Sequence, residues 1–224
     1  MKKKNKRYKK HTGTALMAAG MSLVLAAVCL MSYNFWDENR AEDAITEVLD
    51  ALDAAAETET EVETGQSEPV GEEIIEPAPE PETDDMPAHA PDVPTRTLDS
   101  GIYIGFLEIP ALGLRLPVMN DWSYPNLKIS PCRYTGSVYE NNMVVAAHNY
   151  SSHFGNLNQL QTGDSIRFID MDENHYYYTV DETEIVMPTE IEQMITGDWD
   201  LTLFTCTIGG RTRVAVRCTM QDYE

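Results

Sequence analysis

Leu201-Thr202-Leu203-Phe204-Thr205-Cys206 is an apolar run that ends on a cysteine, and beyond a short turn lies Arg211-Thr212-Arg213-Val214-Ala215-Val216-Arg217-Cys218-Thr219. The second run alternates. Val214, Val216 and Cys218 fall on one face of a strand, and Arg211, Arg213, Ala215 and Arg217 on the other. The apolar face belongs to a core, so Arg213 points away from it and Cys218 is packing. Outward from this pair, further short runs bounded by turn residues predict strands at 102–109, 114–119, 143–147, 165–170 and 176–186, with a weaker one at 133–136. Short helical turns fit 155–161 and 190–195. Many short strands separated by Gly, Asn and Asp turns predict a mainly β domain, a barrel or sandwich closed to protect its edges. Residues 100–224 suffice for one such core.

The remainder of the 224-residue chain divides by composition. Residues 1–11 form a basic tail. Residues 12–36 carry no charge and are rich in Ala, Leu, Val and Met. As a helix they would reach about 37 Å, enough to cross a hydrocarbon core of roughly 30 Å. Seven Lys and Arg residues precede the span, while Asp37, Glu38, Glu42 and Asp43 follow it. The positive-inside rule therefore puts the N-terminus in the cytoplasm and the β domain outside a single-pass anchor in the lipid bilayer. A cleaved signal peptide would need a shorter apolar core and a small-residue exit. A lipoprotein site at Cys29 is opposed by the bulky Val28 before it. Residues 37–99 begin as a helix whose apolar stripe, from Ala41 through Ile45, Val48 and Leu52 to Ala56, fits a copy of itself or the lipid surface. They continue as an acidic stalk. Glu76-Pro77-Ala78-Pro79-Glu80-Pro81-Glu82 is a self-repelling run that cannot bury a core. As a spacer, this stretch predicts that a chain starting near Thr97 is as stable as one starting at Asp37.

Net charge excludes other functions. The formal charge is −21, and nine basic against 37 acidic residues after Trp36 leave −28 there. Such a surface repels phosphate backbones, so no nucleic acid is expected as a partner. Cys29, Cys132, Cys206 and Cys218 form no CxxC or CxxH pair, so no zinc site is expected. Neither GxGxxG nor GxxxxGK[ST] occurs, and no cofactor is expected. Whether Asp170, Asp172, Glu173, Asp181, Glu182 and Glu184 hold a regulatory calcium stays open, because acids in turns are usually solvated. Cys132 and Cys218 lie where a disulfide is permitted, but two separate buried thiols are favoured.

One set of residue types offers nucleophilic chemistry: Cys206 ending one apolar strand, His148 ending Met143-Val144-Val145-Ala146-Ala147, and Arg213 just inside the last strand. Each has a plain alternative. A lone cysteine is commonly a small buried hydrophobe, a lone histidine is commonly structural, and an arginine is by default a surface ion-pair partner. His153 is a second candidate acid, but it sits in a polar Ser-Ser-His loop.

Thr202-Leu203-Phe204-Thr205-Cys206 resembles the Thr-Leu-x-Thr-Cys signature of the sortases, membrane-anchored cysteine transpeptidases of Gram-positive cell surfaces. Glu108-Ile109-Pro110-Ala111-Leu112-Gly113-Leu114-Arg115-Leu116-Pro117-Val118 is similar to that family's opening strand pair. Val144-Val145-Ala146-Ala147-His148-Asn149-Tyr150 is similar to its histidine strand, with Ala147 where glycine is commoner. Phe154-Gly155-Asn156-Leu157, Leu160-Gln161-Thr162-Gly163-Asp164 and the arginine strand from Arg213 to Arg217 follow in the family's order. The resemblance implies a closed sortase-like barrel of about eight strands over 100–224. It implies Cys206 as nucleophile toward a Leu-Pro-x-Thr-Gly-like sorting signal, His148 as general acid then base, and Arg213 as oxyanion donor. Thr205 would orient the strand end or the bound signal, and Arg217 would shape the substrate groove. The implied partners are secreted proteins with a C-terminal sorting signal and an amine on a peptidoglycan precursor or a pilin lysine. No aromatic Asp-Pro lid motif precedes the barrel, which tilts toward wall anchoring. The same residues would also suit a surface cysteine peptidase, and a non-catalytic surface module is the third alternative.

Overall fold

The computed structural model describes residues 4–62 and 93–221. They fall into two compact units, one up to Arg40 and one from Ala41 onward. Helix α1 (Lys4–Val62) contributes to both. Its N-terminal part has a stretch of mean hydropathy 2.2, none of it buried, which is compatible with a membrane anchor. The Pro/Glu-rich part of the expected stalk, 63–92, lies outside the described residues.

The second unit is built on nine strands: β1 (Arg96–Leu98), β2 (Gly101–Ile109), β3 (Leu114–Met119), β4 (Cys132–Thr135), β5 (Met143–Ala147), β6 (Ser165–Asp170), β7 (His175–Val186), β8 (Leu201–Cys206) and β9 (Arg213–Met220). Their order is β1-β2-β3-β4-β5-β8-β9-β7-β6, and pairing of β6 back onto β2 closes eight of them into a barrel with β1 added outside β2. This is the closed barrel that the resemblance implies, and one of the two architectures that the sequence pattern allows. Closure removes the sheet edges that would otherwise be open to other chains. At the seam Gly105 pairs with Asp170, and a Cβ there would lie 2.2 Å from the Ile169 carbonyl oxygen, so the close approach of β2 and β6 requires glycine. Helices α2 (Tyr124–Leu127) and α3 (Ile191–Ile195) sit in connections. Strand β1 and helix α2 are not foreseen from sequence.

Alternation sorts the core. Val145, Ala147, Leu203, Val214, Val216 and Cys218 join one apolar cluster with Leu107, Phe168 and Tyr178. The intervening Val144, Ala146, Phe204 and Ala215 join a second with Leu127 and Met194. Both faces of β5 and most of β8 are therefore buried, which is why these strands read as continuous apolar runs. The helical stripe of α1 finds neither of the partners expected for it. Ala41, Ile45, Val48 and Leu52 are buried on the domain itself, Ile45 in the first cluster and Val48 and Leu52 in the second with Tyr103 and Met119. Asp53 closes this contact by accepting two hydrogen bonds of 3.2 Å from Arg115.

Candidate active site

Strand register builds the site. β5 runs parallel to β8 with Ala147 opposite Thr205, and β8 runs antiparallel to β9 with Cys206 opposite Arg213. The residue after β5, the last of β8 and the first of β9 therefore lie in one row across the sheet: His148, Cys206, Arg213. Neighbouring strands are about 5 Å apart, so three side chains from distant sequence reach one place without a special loop. All three line a single cleft of about 220 Å³. The buried Thr205 hydroxyl donates to the Ala147 carbonyl at 2.8 Å, pinning together the strand ends that carry Cys206 and His148.

Cys206 is partly exposed, whereas Cys132 and Cys218 are buried. Burial pushes the Cys132 thiol up to about 12 and raises that of Cys218 as well, so neither supplies a thiolate near neutral pH. All four cysteines are free thiols. Arg213 is partly exposed, and its Nη1 donates to the carbonyls of Gly210 and Thr212 at 3.1 and 3.0 Å, which holds the guanidinium at the β8–β9 turn. The His148 ring packs on Tyr150 at 4.8 Å between centroids. The loop then folds back, with the Phe154 N–H donating to the His148 carbonyl at 3.1 Å. His153 lies behind Tyr150, 5.4 Å ring to ring, fully buried and outside the cleft. Burial first, and the neighbouring His148 second, lower its pKa to about 4. It is therefore neutral at physiological pH, and it lies out of reach of a substrate, whereas His148 lines the cleft.

The walls of the cleft are apolar. Trp122, Tyr134 and Phe204 pack edge to face, with centroids 5.7 and 5.4 Å apart, and Pro188 and Met194 add aliphatic surface. Sequence pattern alone misses Trp122, Tyr134, Pro188 and Met194. Two wall residues had a usable signal: Ala146 and Phe204 stand two positions before His148 and Cys206, hence on the same strand faces. The resemblance has Arg217 shape this groove; its side chain is sealed at 3% exposure and does not itself line the cleft. Arg211 is exposed and likewise does not line it. The acids named as calcium candidates do not gather: among the described residues no group of three metal-binding side chains occurs. Asp170 is occupied as the acceptor of the Asp172 and Asn174 backbone N–H groups and of the Tyr139 and Tyr176 hydroxyls.

A closed β-barrel with a cysteine, a histidine and an arginine abreast at one cleft has the layout of an acyl-transfer enzyme. Residues 107–221, just over half of the chain, match the model of the Sortase domain. The chain belongs to the sortase family, whose members are transpeptidases. It is 32% identical over 125 residues to a Sortase A of Bacillus anthracis, an alignment covering 51% of this chain and 57% of that relative. Among solved structures it resembles a sortase C from Clostridium perfringens SM101, at 26% identity and TM-score 0.47 over 54% of this chain and 71% of that one. It also resembles a pilus-related sortase C of Group B Streptococcus, at 24% identity and TM-score 0.49 over 57% of this chain and 70% of that one.

Proposed function

We propose that the chain is a membrane-anchored transpeptidase of the cell surface. It cleaves a Leu-Pro-x-Thr-Gly-like sorting signal between Thr and Gly and passes the acyl half to an amine on a peptidoglycan precursor or a pilin lysine. The observation that carries this is the row His148, Cys206, Arg213 along one cleft. The Cys206 thiolate attacks the threonine carbonyl carbon, forming a C–S bond and moving an electron pair onto oxygen. Arg213 and backbone N–H groups donate to that oxyanion. Collapse breaks the C–N bond, and His148 in its protonated form gives its proton to the departing glycine nitrogen. A thioester remains. The acceptor amine then attacks it, loses a proton to His148, and expels the thiolate, so one hard amide exchange becomes two easier steps. The apolar cleft walls take the Leu-Pro part of the signal. The helix at 12–36 is the anchor, with the basic tail on the cytoplasmic side.

The test uses the full-length protein in detergent micelles with a Leu-Pro-Ala-Thr-Gly peptide. Wild type cleaves it, Cys206→Ala does not, and added triglycine diverts the product from free acid to amide. A product unchanged by the amine makes the chain a peptidase. A cleavage that survives Cys206→Ala overturns the mechanism.

A further inference from the structure

Arg217 lies four residues along β9 from Arg213, on the same strand face, yet its side chain is 3% exposed. A guanidinium sealed from water must have its donors matched, because each unpaired N–H and the charge itself cost free energy. Here each of the three nitrogens donates at least one hydrogen bond. Nε donates to the Glu184 carboxylate at 2.7 Å, and Nη2 lies 2.6 Å from the same oxygen. Nη1 donates to the Thr202 hydroxyl at 3.1 Å and to the Met194 carbonyl at 3.2 Å, while Nη2 also donates to the Gln193 carbonyl. Glu184 and Thr202 belong to the barrel strands that flank β9. Gln193 and Met194 belong to α3, in the connection between β7 and β8.

That connection packs on the barrel through Met194 and Ile195 but supplies few backbone partners of its own. α3 has five residues, fewer than two turns, so the carbonyls of its last turn have no partner within the helix. Its other bonds are local: Gln193 N–H to the Glu190 carbonyl, Thr196 N–H to Glu192, Met187 N–H to the Glu190 carboxylate. Among the described residues, the hydrogen bonds reaching α3 from the barrel come from Arg217. The cation meets the negative end of the helix, as the peptide dipoles favour. The residue whose carbonyl it grips, Met194, is 4% exposed, shares an apolar cluster with Phe204, and forms a wall of the cleft.

We propose that Arg217 is a positioning residue for the acyl-donor groove: it clamps α3 to the barrel so that Met194 stands as the wall against which the apolar part of the peptide packs. This rests on the reading of the cleft as a sorting-signal site. It separates two arginines of one strand face, Arg213 serving the reacting carbonyl and Arg217 serving the shape of the groove. Lysine cannot replace it, since a point charge on a flexible stem lacks the planar fork that serves two carbonyls, a hydroxyl and a carboxylate together.

The experiment compares wild type, Arg217→Lys and Met194→Ala as full-length protein in micelles. Three readouts are hydrogen exchange of the amides at 187–197, steady-state kinetics with the Leu-Pro-Ala-Thr-Gly peptide, and iodoacetamide alkylation of Cys206. In Arg217→Lys the exchange of that segment accelerates about tenfold or more. KM rises about tenfold, with kcat changed by less than about threefold, because ground-state and transition-state binding are lost together. Cys206 alkylation stays within about twofold, since the nucleophile is carried by another strand. Met194→Ala raises KM alike without accelerating exchange, and the double variant is no worse than Arg217→Lys, because both remove one wall. Unchanged exchange, a fall in kcat at constant KM, or additive effects overturn the clamp. If Arg217→Lys does not fold, Thr202→Val removes one acceptor and carries the same readouts at smaller size. If wild type does not cleave the peptide, the transpeptidase reading fails, and the exchange result still decides whether Arg217 holds α3.

Discussion

Replacing Leu52 by alanine tests whether the helix that follows the apolar span is part of the folded domain. Leu52 is 1% exposed and shares a cluster with Tyr103 and Met119, on strands β2 and β3. Removing a buried leucine costs its transfer free energy plus the cavity left behind, about 2–5 kcal/mol. With about 3 kcal/mol lost and a urea slope of about 2 kcal/mol per molar, the unfolding midpoint falls by about 1.5 M. Glu47 supplies the control: it is exposed on the same helix, so Glu47→Ala stays within about 0.5 kcal/mol. Asp53→Ala removes an ion pair whose side chains are 55% and 40% exposed, which is worth under about 1 kcal/mol. Urea unfolding in micelles, followed by tryptophan fluorescence, measures all three. If Leu52→Ala moves the midpoint no more than Glu47→Ala, the stripe is not packed on the barrel, and a chain beginning at Val93 will be as stable as the full protein. The structure predicts instead that such a chain is weaker, against the composition-based expectation that a chain starting near Thr97 is as stable as one starting at Asp37.

Two further outcomes are specific. His153, neutral in the fold with its pKa lowered to about 4 against an ordinary 6.5, binds fewer protons than in the unfolded chain between those values, so stability rises with pH across that window. The contribution lost on going from pH 6.5 to 4 is about 3 kcal/mol, and His153→Phe removes this part of the slope in pH-dependent urea melts. A slope identical to wild type refutes it. Thr205→Val keeps the side-chain shape but deletes the hydroxyl that donates to Ala147, leaving a buried carbonyl short of a partner at a cost of about 1–2 kcal/mol. Loosening the strand ends beneath Cys206 and His148 lowers kcat about tenfold, and a kcat equal to wild type shows that register alone sets their spacing.

Much of the fold was legible in the sequence because strands carry their own signature. Ser165–Asp170 alternates, and Met143–Ala147 is apolar throughout, so each declares itself without reference to a neighbour. Arg96–Leu98 does not, because three residues hold no period and their pairing with 101–103 comes from β2. The stripe on α1 announces that something covers it, but a helical period is silent about what. Cys206, His148 and Arg213 were legible as strand-end residues of the right chemical types. Their meeting was not, since it depends on register, and a one-residue slip would turn a strand's side chains to the opposite face.

Arg213 and Arg217 mark the limit of such patterns most clearly. They are the same residue type on the same face of β9, about 13 Å apart along the strand. A period of two assigns both to the polar side, and the polar side of a strand ordinarily meets water. That holds where β9 begins, beside Cys206 at the open cleft. Four residues on, the connection after β7 lays α3 over the strand and turns the same face into an interior. A charge can remain there because the covering segment brings the acceptors: two carbonyls of a helix too short to use them, with Glu184 and Thr202 beside them. The burial of Arg217 and the stability of α3 are therefore one feature of the fold. It follows from a crossing of chain segments, and no spacing within β9 encodes it.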